Sequence, residues 1–276
     1  MRRAMSTASE NGSPSGAGGA ADRLTPSATA GRVPQHVDWR GTGRDGPIYA
    51  VGDIHGMSAL LEAMIVRIEQ DAAAIGAPAR VVFLGDAINR GPNSRQVVER
   101  LLGGPQRPGD RWVVLRGNDE QALLDGLDDE AAFAKFLRKG GAQTLLSYGL
   151  SGTGMTRAGA RAAIPPAHLA FMSRLPLTCR TESHVFVHAG VRAGREIEAQ
   201  EPADLMTLRE PFFSHAAHLP WTVVHGHTPS AGAPVVARGR IGVDTGACLT
   251  GVLTGVVIAA DAPPRFLSVR SRPSPA

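Results

Sequence analysis

Apolar runs of four to six residues, most of them followed at once by a polar motif containing glycine, recur along this chain. They confine it to folds in which buried strands hold loops at one edge. The motifs read Gly52-Asp53-Ile54-His55-Gly56, Gly85-Asp86-Ala87-Ile88-Asn89-Arg90-Gly91-Pro92, Gly117-Asn118-Asp119-Glu120, His188-Ala189-Gly190 and His225-Gly226-His227-Thr228. Residues 48–51, 81–84 and 112–115 precede the first three and read as buried strands. Between the first two, residues 58–74 carry Leu60, Leu61, Met64, Ile65 and Ile68 at helical spacing, with Ser58 as the expected N-cap. A second helix starts at Asn93 or Ser94 and runs to Leu102, where Gly103-Gly104 ends it. A helical stretch from Asp119 to about Ser173 follows, broken by glycines and by Pro165-Pro166. Segments 184–187, 222–224, 240–243 and 253–259 then make a strand-rich second half. Strand–helix alternation followed by closely spaced strands predicts an α/β fold, two sheets face to face with helices outside.

A chain of 276 residues, 43% hydrophobic, can bury one large core. Residues 1–45 are dominated by small and polar side chains and are expected to be a disordered N-terminal tail. The folded domain is expected at 46–270, with a disordered Pro-rich end at 271–276. The formal charge is +4 and the basic residues are almost all arginine, Lys135 and Lys139 being the only lysines. No arginine cluster alternates with aromatics as a single-strand groove requires, so no nucleic-acid partner is expected. Cys179 and Cys248 lack zinc-type spacing and read as free thiols. With no apolar run of spanning length and no apolar signal core after Arg2-Arg3, no membrane association and a cytoplasmic location are expected.

The motifs carry the ligand chemistry of a hard-metal site, since carboxylates with imidazoles suit Mn, Fe, Zn or Mg. Asp53 and His55 lie two apart and can address one ion. Asp86 is the natural bridging ligand, because one carboxylate can share its oxygens between two cations. Asn118 adds an amide oxygen, and His188 and His227 complete a second site. Two ions about 3.5–4 Å apart would polarise a phosphoryl group and hold a bridging hydroxide for in-line attack. Arg90, four residues after Asp86, presents paired donors suited to a phosphate, whereas Arg116 reads as a surface residue.

Together the motifs resemble the phosphoprotein phosphatase branch of the metallophosphoesterases, particularly its bacterial and phage members. The likeness extends to Leu205-Met206-Thr207-Leu208-Arg209-Glu210-Pro211-Phe212 and Asp244-Thr245-Gly246-Ala247. It implies two mixed β-sheets packed as a sandwich flanked by helices. It also implies Asp53, His55 and Asp86 as ligands of a first metal, and Asp86, Asn118, His188 and His227 as ligands of a second. Manganese or an iron–zinc pair is the implied cofactor. Arg90 and Arg209 are the implied phosphate clamps, with Asn118 beside them at the substrate. The expected activity is hydrolysis of phosphate monoesters, from a phosphorylated protein or a small phosphoester.

Two positions depart from that branch. Its third motif has His where this chain has Asp119, and its second motif has Asp where this chain has Asn89. Asn89 can donate an amide N–H to the Asp119 carboxylate, so the two changes are mutually compatible. Asp119, with a reference pKa of about 3.9, is expected to be a weak proton donor beside dications. Asn89-Arg90-Gly91-Pro92 also resembles the symmetrical diadenosine tetraphosphate hydrolases, an alternative whose leaving group needs little acid help. A metal-binding pseudophosphatase is the non-enzymatic alternative.

Overall fold

The computed structural model describes residues 35–40, 46–260 and 262–271. The four-residue runs fold as expected into neighbouring strands of one sheet: β2 (Ile48–Val51), β3 (Arg80–Phe83) and β4 (Arg111–Val114) pair in parallel. All four residues of β2 and of β3 are buried, which accounts for their apolar character apart from Arg80. β10 (Val252–Ala259) pairs antiparallel with β2, and β11 (Ala262–Arg270) closes that side, giving the order β11-β10-β2-β3-β4. The second sheet takes β5 (Thr178–Arg180), β6 (His184–Val187), β7 (Thr222–His225), β8 (Val235–Ala237) and β9 (Arg240–Gly242). With β1 (His36–Asp38) its order is β1-β5-β6-β7-β9-β8, and β6, β7 and β9 run parallel. Both sheets are mixed, as expected.

The strand period of two explains the layering. Ala50, Val82, Leu84 and Val113 meet Phe186, Val224, Ile241 and Val243 between the sheets. The alternate residues Tyr49, Val51, Val81 and Phe83 face outward under α1 (Ser58–Ile75) and α2 (Ser94–Leu102). On the other side Val185, Val187 and Val223 lie beneath α8 (Pro202–Thr207) and α9 (Phe212–His215). The middle stretch is a helical lobe with its own core around Leu123, Phe133, Phe136 and Leu145. It comprises α3 (Asn118–Asp128), α4 (Glu130–Phe136), α5 (Ala142–Ser147), α6 (Arg157–Ala163) and α7 (Pro166–Arg174).

Three expectations are corrected. Part of the stretch expected as a tail is structured: His36–Asp38 pair with Thr178–Arg180, and Trp39 joins the inter-sheet core. Residues 1–34, 41–45 and 272–276 lie outside the described residues. Ser58 is the first helical residue of α1 and makes no capping bond; Met57 precedes it. The strands β1, β5, β8 and β11 escaped the sequence reading. They are short or largely exposed, and Pro263 and Pro264 lie in β11, a sheet-edge position where proline is tolerated.

Candidate dinuclear metal centre

The loops that follow β2, β3, β4, β6, β7 and β9 converge at one edge of the sandwich, where parallel strands leave their C-terminal ends open. Asp53, His55 and Asp86 form one group in which all ligand atoms lie within 4.8 Å of one another, and Asp86, His188 and His227 form another. Asp86 is common to both. Its Oδ2 is 3.7 Å from His55 Nε2, and its Oδ1 is 3.5 Å from His188 Nε2. The carboxylate thus turns one oxygen toward each group, as a bridging ligand must. Asn118 Oδ1 lies 3.1 Å from His188 Nε2.

The histidines are oriented by the backbone. His55 Nδ1 lies 2.9 Å from the Ile88 carbonyl and His188 Nδ1 2.8 Å from the Leu84 carbonyl. A proton on each Nδ1 serves these carbonyls and leaves Nε2 as a free lone pair facing the cluster. His227 Nε2 is buried and has no hydrogen-bond partner. Burial holds His55 and His227 down to about 4 and His188 well below its usual range, so all three imidazoles are neutral near pH 7. Asp53 and Asp86 are driven well above the ordinary carboxylate range by burial, Asp53 next by Asp244 and Asp86 next by Asp119. Buried carboxylates that repel one another, facing neutral imidazoles and an orphaned nitrogen, fit a pair of divalent cations.

Backbone geometry crowds this edge. A Cβ at Gly226 would lie 2.1 Å from Asp53 Oδ1, and one at Gly117 would lie 2.2 Å from Asp86 Oδ1. Both loops therefore require glycine for their close approach to a carboxylate. The His227 amide donates to Asp53, and the Asp119 amide donates to Asp86 Oδ1 at 2.9 Å.

A cavity of about 890 Å³ opens beside the two groups, lined among others by Arg90, Asn118, Asp119, Arg209 and His227. The two arginines expected to clamp phosphate therefore share one chamber with the donor groups. Arg209 donates to Thr228 Oγ1 at 3.2 Å and so rests on the loop that carries His227.

Asp119 and Asn89 are neighbours, but the expected hydrogen bond between them is not formed. Asn89 Nδ2 and Asp119 Oδ2 are both buried without partners. Asn89 Oδ1 instead accepts from Thr144 Oγ1 at 2.8 Å, and Asp119 Oδ1 accepts from Asn118 Nδ2 at 2.9 Å. Asp119 is also pushed up to about 6, chiefly by burial and then by Glu120, against Arg90 and Asn89 which draw it down. The reference value thus understates how readily the protein environment holds a proton there.

Three residues with roles at this edge were not assigned from the sequence. Glu120 is buried, and its Oε1 accepts from the Ala87 and Ile88 amides while Oε2 accepts from those of Asp86 and Gly117. Asp244, at the end of β9, is buried beside Asp53. Thr144 holds Asn89. Glu120 and Asp244 were visible as acids in motif positions after strands, but no pattern marks Thr144. His225, left outside the ligand set, packs against Phe212 and Phe213, and its Nδ1 lies 3.0 Å from the Gly226 carbonyl. Arg116 is half-buried and bonds Gln121 and the Ser173 carbonyl in place of an ion pair.

The chain is similar to several known proteins. A symmetrical bis(5'-nucleosyl)-tetraphosphatase of Janthinobacterium sp. (strain Marseille) is 29% identical over 143 residues, spanning 52% of this chain and 43% of that protein. The chain thus matches less than half the length of that relative. Among solved structures, one provisionally assigned as a diadenosine tetraphosphatase shares the fold with a TM-score of 0.59 at 24% identity, over 87% of this chain and 99% of its own. A serine/threonine phosphatase from Saccharomyces cerevisiae does so at 0.56 and 12%, over 88% and 85%. A protein-tyrosine phosphatase from a psychrophilic Shewanella does so at 0.52 and 15%, over 85% and 82%. These structural likenesses concern the fold alone. The model of the calcineurin-like phosphoesterases matches residues 46–251, every motif included, and the chain belongs to that family of divalent-metal-binding proteins.

Proposed function

We propose that this chain is a divalent-metal-dependent phosphoric ester hydrolase that cleaves phosphate monoesters, with manganese as its working metal. The observation that carries this reading is the Asp86 carboxylate, shared between the two donor groups beside a cavity that Asn118 and His227 line together with two arginines. Asp53, His55 and Asp86 would hold one cation, and Asp86, Asn118, His188 and His227 the other. When bound, such a pair supplies Lewis-acid polarisation of the phosphoryl group and activation of water. The chain's own residues do the rest. Arg90 and Arg209 offer planar paired N–H donors to the phosphoryl oxygens. Asn118 orients substrate through its amide, and Asp119 holds a proton at Oδ2 for the leaving oxygen. Asn89, fixed by Thr144, presents its Nδ2 toward that carboxyl.

Bound cations would draw the Asp119 carboxyl toward its ionised form and leave it a poor proton donor. Turnover therefore depends on the leaving group. With manganese, aryl phosphates should turn over faster than phosphoserine by roughly the 10²- to 10⁴-fold that general-acid assistance is worth. Steady-state rates on p-nitrophenyl phosphate and a phosphoserine peptide, repeated with iron and zinc, test this; equal rates on the two substrates would overturn the role given to Asp119.

The alternative substrate is a symmetrical dinucleoside tetraphosphate, favoured by the Asn89-Arg90-Gly91-Pro92 segment and by the activity named for the Janthinobacterium relative. Chromatography of products from diadenosine tetraphosphate discriminates the two. Bound metal without turnover of any substrate would instead make the chain a phosphate-recognising binding protein.

A further inference from the structure

The cavity is more cationic than one phosphate requires. Beyond Arg90 and Arg209 its wall carries Lys135, Arg138 and Lys139, from the end of α4 and the turn after it. Lys135 and Lys139 are the only lysines in the chain, and both line this one chamber. Among the described residues, none of the three side chains makes an ion pair or hydrogen bond. The one lining acid on that side, Asp125, is already bonded by Gln121 at 2.7 Å.

The wall is also fastened to the phosphate-clamp loop. Residues 137–141 form a single wide helical turn, broken where Gly140 takes φ 105°. The Gly140 carbonyl accepts the Arg90 amide at 3.2 Å, and a Cβ at Gly140 would lie 3.0 Å from Arg90 Cγ. This contact holds the three cations on the same wall as Arg90. Lys139 and Asp119 line the same cavity.

Resting on the hydrolase reading above, we propose that Lys135, Arg138 and Lys139 form a second anion subsite, which takes a further phosphate of the substrate beyond the one attacked. A cavity of about 890 Å³ falls within the size range of small-molecule sites. The occupant is therefore a small molecule bearing a chain or pair of phosphates rather than a phosphoprotein.

Calorimetric titration of the full chain with inorganic phosphate and with tripolyphosphate tests this, both ligands dissolved in the same excess of manganese so that chelation does not strip the protein. Tripolyphosphate should bind at least about tenfold more tightly than phosphate, as extra charge-assisted contacts require. Lys135→Gln, Arg138→Gln and Lys139→Gln combined should abolish that preference while leaving the phosphate Kd within about twofold. All three side chains are exposed, and thermal melting would verify that the variant is folded. The proposal is overturned if wild type shows no preference or if the variant retains it. It is equally overturned if the three cations govern the affinity of an acidic phosphoserine peptide and not that of tripolyphosphate. Because the readout is binding, a preference seen without turnover of p-nitrophenyl phosphate would sink the hydrolase reading and leave the subsite standing.

Discussion

His55, Asp86, Asn89, Arg90 and His227 are the non-glycine residues with positive φ among the described residues, and every one belongs to the candidate site. Asp, Asn and His tolerate this conformation better than most side chains, but Arg90 has no such excuse, and each instance costs on the order of 1–3 kcal/mol. Such strain persists only where surrounding structure imposes it, which is the expectation for side chains aimed at a common point. The exchanged pair at Asn89 and Asp119 is read at the same scale. Asn89→Asp with Asp119→His restores the pair of the related phosphatases. It should raise turnover of alkyl phosphates by roughly 10²-fold or more while changing aryl phosphate turnover much less. Steady-state kinetics on both substrates check this, and an unchanged alkyl rate would remove the pair from the proton-transfer step. These residues were legible because each sits in a short motif directly after an apolar run. Their local hydrogen bonding was not, since Thr144, the true partner of Asn89 Oδ1, lies 55 residues away in sequence.

Among elements, the junction of the β3 loop with α3 determines whether Asp86 can face both donor groups. Glu120, one turn into α3, receives four backbone N–H groups from Asp86, Ala87, Ile88 and Gly117 and so ties the second motif to the third. Glu120→Gln replaces an acceptor oxygen with a donor and leaves two of those N–H groups facing an NH₂. At about 1–3 kcal/mol for each unsatisfied buried group, the variant should lose roughly 2–6 kcal/mol in denaturant unfolding and bind metal more weakly. Unchanged stability would mean that the loop is held by other contacts. The central strands and the first two helices were readable because both of their faces, or one continuous stripe, are apolar. The edge strands were not: β8 is wholly exposed and β1 has three residues, so pairing alone defines them.

At the level of the whole molecule, the donor groups draw on both sheets. Asp53, His55, Asp86 and Asn118 follow strands of one, and His188 and His227 follow strands of the other. Without cations, Asp53 and Asp86 favour their protonated forms, and Asp119 is raised from 3.8 to about 6. A carboxyl whose folded pKa lies above its unfolded value weakens the fold as pH rises from the unfolded value through the folded one. Divalent cations reverse that penalty by binding the ionised forms. The melting temperature of manganese-loaded protein should therefore exceed that of chelator-treated protein by a margin that widens from pH 4 to pH 7. At metal concentrations about 100-fold above Kd the stabilisation is roughly 2.7 kcal/mol, or about 5–10 °C for a domain of this size. Differential scanning fluorimetry across that range checks the trend, and a margin that narrows with pH would contradict it. On the proposed ligand set, Asp86 on one sheet and His188 on the other would address the same ion, and the cation would be a rivet between the two halves of the sandwich. Maturation of the protein would then be coupled to acquisition of its metal, and a cell short of that metal would hold a less stable fold.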